Sequence, residues 1–97
     1  MPDRETAQAL ARTLLAGRLA ACVNLGASVE SMYHWRGQIE TAVEVPVAIK
    51  TRALLYPRVE AAILAAHPYE LPEVVAVPII HGLTRYLDWI AAETQTP

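Results

Sequence analysis

The stretch Ser28-Val29-Glu30-Ser31-Met32-Tyr33-His34-Trp35-Arg36-Gly37-Gln38-Ile39 decides the fold. Val29, Ser31, Tyr33 and Trp35 alternate with Glu30, Met32 and His34, which is the two-residue period of a strand. Arg36-Gly37-Gln38 reads as a turn, because glycine takes positive φ without a steric cost. A return strand is expected from about Ile39 to Thr51, bent at Pro46, which offers no N–H to a ladder. The resulting hairpin is long for a chain of 97 residues. Tyr33 and Trp35 on one of its faces either fill a core or anchor a partner. Its edge also needs a cover.

Upstream, Ala7, Leu10, Ala11, Leu14 and Leu15 recur at helical spacing. Asp3 suits the N-cap and Gly17 the stop, so a helix is expected from about Arg4 to Ala16. Leu19 to Asn24 is short and apolar and reads as a buried strand. Downstream, Leu54 to Ala66 carries Val59, Ala62, Ile63 and Ala66 on one face, with Pro57 tolerable in the first turn. His67-Pro68 stops that helix. Val74 to Ile80 is β-branched and reads as a strand cut by Pro78. Tyr86, Leu87 and Ile90, with Trp89 beside them, predict a closing helix. The order α-β-β-α-β-α implies an α+β domain of the ferredoxin-like, split βαβ kind, with helices on one face of a sheet. That arrangement calls for a strand ahead of the first helix, and here the helix begins at residue four.

Composition narrows the function. The chain is 54% hydrophobic, which excludes disorder and leaves apolar surface that one small domain hides poorly without copies of itself. A net charge of −2, with the basic residues scattered, gives no electrostatic case for nucleic acid or an anionic membrane. One cysteine, Cys22, excludes an intrachain disulfide framework and fits a reducing cytoplasm. No apolar run approaches the ~18 residues of a membrane span. The expectation is a single soluble, cytoplasmic domain over residues 1–97.

His67-Pro68-Tyr69-Glu70-Leu71-Pro72-Glu73 is the most polar connector in an oily chain. The plainer role for His67 is a helix C-cap, its ring bonding the last free carbonyls and favoured as the cation by the dipole. The alternative is contact with a ligand. Cys22, His34, His67, His81 and the carboxylates are suitable donors for copper or zinc. No Cys-x-x-Cys or His-x-x-x-His spacing supports them, and a lone cysteine is usually a small buried hydrophobe. A metal also needs the neutral imidazole. No nucleophile elbow, phosphate loop or Ser/His/Asp grouping is present, so no enzymatic reaction is expected. Lys50 and Glu70 are the nearest approach to an acid–base pair, more simply an ion pair.

The chain resembles the CutA divalent-cation tolerance proteins. The resemblance rests on Pro2-Asp3-Arg4-Glu5-Thr6-Ala7, Arg18 to Asn24, Tyr33-His34-Trp35-Arg36-Gly37-Gln38-Ile39-Glu40, Ile49-Lys50-Thr51-Arg52, His67 to Glu73 and Tyr86-Leu87-Asp88-Trp89. It implies a ferredoxin-like subunit in a tight homotrimer joined through long hairpins, similar in architecture to the PII signalling proteins. It also implies a link to Cu(II) and other divalent cations. Intersubunit clefts would be lined by Tyr33, Trp35, Lys50, His67, Tyr69, Glu70 and Trp89. Cys22 would join His67 and Glu70 as candidate metal ligands. A PII-like module for a small anionic ligand and a trimeric scaffold are the alternatives.

Two departures stand out. In the family an apolar strand precedes Pro2-Asp3, and it is central to the sheet. Each buried backbone group left unpaired without it costs ~1–3 kcal/mol, and several would rival a small domain's whole stability of ~5–15 kcal/mol. The expectation is that translation starts upstream and that Met1 is an internal Val codon misread as a start. Secondly, Leu83 stands where the family tends to a small polar residue, so the start of the last helix is expected to differ.

Overall fold

The computed structural model describes residues 1–96. Helix α1 spans Arg4–Ala16 and buries Ala7, Leu10, Ala11 and Leu14, the stripe the spacing requires. Asp3 is its N-cap, accepting the Thr6 N–H at 2.7 Å and the Thr6 hydroxyl at 3.0 Å. Those two bonds hold the Asp3 carboxyl below its ordinary range. Gly17 caps the far end at φ −81, and the left-handed residue is Arg18 instead, at φ 54. The Arg18 N–H donates to Leu15 O and the Leu19 N–H to Leu14 O, a Schellman closure that folds Leu19 back onto the core.

Strand β1 is Cys22–Leu25 rather than Leu19 to Asn24: the closure takes up Leu19, although the Ala21 N–H already donates to Lys50 O at 2.9 Å. Strands β2, Val29–Trp35, and β3, Gln38–Glu44, form the hairpin, in register from Val29↔Glu44 to Trp35↔Gln38. Its turn has two residues, Arg36 at φ 52 and Gly37 at φ 78, the positive pair that matches strand twist. The single return strand expected from Ile39 to Thr51 is two strands. Pro46 breaks it, and β4, Val47–Lys50, pairs antiparallel with β1. Among the described residues the strands therefore make two sheets of two strands, β1-β4 and β2-β3.

A short 3₁₀ turn at Ala53–Leu55 leads into α2, Tyr56–Ala66. The core is Leu10, Leu14, Ala20, Val59 and Ile63, between the two helices and the β1-β4 pair. Helix α3, Thr84–Glu93, buries only Ile90. Leu83 at its N-cap makes no side-chain hydrogen bond. The far end of α3 is tied down: Arg52 Nε donates to Thr94 Oγ1 at 2.9 Å, Gln95 Nε2 to Gly17 O at 2.8 Å, and Arg18 pairs with Glu93 at 3.1 Å.

The strand expected over Val74 to Ile80 does not form; the segment has no regular secondary structure. Val75 is 78% exposed and Val77 83%. β-branched residues favour a pleated, half-buried surface, and no described strand lies beside this one to provide it.

Candidate functional site

Helix α2 ends at His67, whose backbone is extended (φ −85, ψ 129), as a residue before proline must be. The ring does not cap the helix carbonyls. Its Nδ1 accepts the Tyr69 N–H at 3.1 Å, and the two rings meet edge to face at 4.5 Å. The expected preference for the cation is also overturned. Burial pushes the His67 pKa below its ordinary value, the N-terminal ammonium adds to this, and Glu44 opposes it. An accepting Nδ1 leaves the ring hydrogen on Nε2 in the neutral form. His67 can therefore ligate a cation through Nε2 only by giving up its bond to Tyr69.

Beyond His67, the connector folds against the hairpin and encloses a cleft of about 890 Å³. Tyr33, Trp35 and Tyr69 supply aromatic faces to it, and Glu44, Glu70 and Glu73 supply carboxylates. Arg36 reaches across from the hairpin turn: its NH2 meets Glu70 Oε2 at 2.7 Å, and its guanidinium lies 5.3 Å from the Trp35 ring centre. Burial raises the Tyr69 phenol pKa, and Glu44, Tyr33 and Asp3 raise it further. The cleft thus combines π faces with negative charge, a setting that favours cations.

The remaining predicted residues lie elsewhere. Cys22 and Lys50 are cross-strand partners on β1 and β4. The Lys50 ammonium donates to Asn24 Oδ1, and the Cys22 thiol lies 3.7 Å from the same oxygen. The pairing of Lys50 with Glu70 is not formed, since each has another partner. Trp89 stacks on Tyr86 along α3, ring centres 5.6 Å apart. Cys22, His67 and Glu70 are not brought into one group: among the described residues no three of His, Cys, Asp and Glu converge to hold a metal ion. Arg36, Glu44 and Asn24 were not singled out by sequence. Only Glu44, a carboxylate beside the strand break at Pro46, carries a local signal. Arg36 and Asn24 matter through contacts 34 and 26 residues away.

The CutA1 divalent ion tolerance protein family matches residues 1–93. The divalent-cation tolerance protein CutA of Thermus thermophilus is 38% identical over 97% of this chain and 91% of its own. CutA of Homo sapiens is 40% identical, and there the chain spans 53% of the relative's length. Among solved structures, CutA1 of the psychrotrophic Shewanella sp. SIB1 superposes with a TM-score of 0.95 at 42% identity, covering 98% of this chain and 89% of that one. The helices, the hairpin and the connector described above all fall inside the matched residues, and on that ground the chain belongs to the CutA1 divalent ion tolerance protein family.

Proposed function

We propose that the chain serves divalent-cation tolerance by binding a divalent cation, Cu(II) first among them, as a homotrimer with a PII-like, ferredoxin-like architecture in the cytoplasm. The observation that carries this reading is the cleft between hairpin and connector, lined by three aromatic rings and three carboxylates, of which Glu70 is paired with Arg36. It suits a positive ligand and argues against the small anion of a signalling module. One chain alone holds Cys22, His67 and Glu70 apart, so the donor set is completed between copies. The hairpin suits that assembly: Met32, Ile39 and Val43 are 68%, 70% and 64% exposed, more apolar surface than an isolated arm tolerates.

Calorimetric titration with Cu(II), alongside native mass measurement, tests the reading. Micromolar binding to a trimer, weakened in Cys22→Ala, His67→Ala or Glu70→Gln, supports it. A trimer that binds no divalent cation at neutral pH leaves a scaffold, built for assembly alone. A monomer that binds none removes the reading altogether.

A further inference from the structure

Arg36 occupies the hairpin turn at φ 52, and its side chain makes two contacts of different kinds. One guanidinium nitrogen meets Glu70 Oε2 at 2.7 Å, and the guanidinium carbon lies over Trp35, 5.3 Å from the ring centre. A carboxylate at the edge and a π face below are together the recognition set for a planar organic cation.

The surroundings extend the same chemistry. Glu44 and Glu73 line the cleft with Glu70, and among the described residues neither is in an ion pair. Tyr33 and Tyr69 line it too, 43% and 36% exposed, so both rings are open to a ligand. The Tyr69 phenol pKa, raised by burial and then by Glu44, responds to the same negative charge. The cleft volume of about 890 Å³ falls within the ~300–1,000 Å³ of small-molecule sites. A divalent metal ion uses little of this within one chain, since it needs converging donors and no three converge among the described residues. An ammonium is compact and strongly hydrated, whereas a guanidinium is planar, weakly hydrated and stacks on rings. Arg36 itself holds the place weakly. Both members of its bridge are 70% exposed, and exposed pairs are easily given up.

We propose that Trp35 and Glu70 form a binding site for a small alkylguanidinium, and that Arg36 is its internal competitor, displaced when the ligand enters. The site rests on the reading of the cleft as a place for positive charge, though not on Cu(II) as its occupant.

Ethylguanidinium titrated into the full chain tests this, read by calorimetry and by the indole Nε1–H resonances, with Trp35→Phe telling the Trp35 signal from that of Trp89. The Trp35 signal is expected to move and the Trp89 signal, on α3, to stay. Arg36→Asn tolerates a left-handed φ and is too short to reach Glu70. It is expected to tighten binding about threefold to fivefold, the gain from removing a competitor held by an exposed pair. Arg12→Gln loses the same charge from the exposed side of α1 and is expected to leave affinity unchanged. Glu70→Gln is expected to weaken binding about tenfold.

Equal tightening in Arg12→Gln reduces the effect to net charge and overturns the competition. Ethylammonium bound as tightly as ethylguanidinium overturns the assignment to a guanidinium. A Trp35 signal that stays in place in Arg36→Asn, or full affinity in Glu70→Gln, overturns the site. Cu(II) titrated into the same samples keeps the two readings apart. Cu(II) bound without ethylguanidinium overturns this site alone, whereas ethylguanidinium bound without any divalent cation supports it and removes the metal.

Discussion

The Tyr69 N–H donates to Nδ1 of His67 at 3.1 Å across a single intervening proline. This short loop turns a residue expected to cap a helix into the acceptor of a hydrogen bond, and protonation of Nδ1 removes that acceptor.

Stability is therefore expected to fall on mild acidification. The folded pKa of His67 lies below the ordinary value of 6.5, so the unfolded chain binds the proton first as pH drops. The contribution is intact above about 6.5 and is lost progressively between that value and the lower folded one. Urea midpoints measured from pH 7.5 to 5 should decline through this window. The decline should flatten in His67→Asn; an unchanged slope in that variant would place its origin elsewhere. Asp3 acts in a separate, more acidic window, since its lowered carboxyl pKa makes the cap fail only as pH drops through that value.

The bridge between Arg36 and Glu70 should matter little for stability and more for ligand. Both side chains are 70% exposed, and exposed pairs contribute ~0–1 kcal/mol. Glu70→Gln is expected to stay within that range, with the difference shrinking in molar salt. A larger, salt-insensitive loss by chemical denaturation would show that the pair braces the hairpin against the connector.

In the core, Leu14→Ala is expected to cost about 3 kcal/mol, within the ~2–5 kcal/mol range of such truncations. Leu14 is fully buried and packs with Leu10, Val59 and Ile63. Met32→Ala on the open hairpin should change the isolated chain by less than ~0.5 kcal/mol. If the hairpins assemble as proposed, the same substitution weakens association instead, which sedimentation at several concentrations would read.

Gly37→Ala isolates backbone strain. A Cβ there meets nothing within 4 Å, yet φ is +78. The expected loss is roughly 1 kcal/mol, from conformation alone. Denaturation of the variant checks it. A neutral outcome would mean that the turn relaxes to another geometry.

Much of this architecture was legible because it is local. Helix α1 follows from apolar spacing and from the Asp3 cap a few residues away, and its bounds agree with Arg4 to Ala16. The hairpin follows from alternation and one glycine. Within one chain, Tyr33, Trp35, Tyr69 and Glu70 share a cleft; the resemblance assigns the same four to a cleft between subunits. Lys50 lies apart from the cleft within the chain, opposite Cys22 on β1-β4 and bonded to Asn24, a placement set by cross-strand pairing.

Sequence by itself determined which segments are helical and where the hairpin turns, and it marked Pro46 as a bend in the second arm, since spacing, capping and the missing proline N–H act over a few residues. Tertiary structure alone decided the rest. It turned the His67 ring toward Tyr69, carried Arg36 to Glu70, bonded the Met1 backbone to that of Val45 and left Val74 to Ile80 unpaired. Those outcomes depend on which backbone or charge arrives from far along the chain, and no local pattern encodes that arrival.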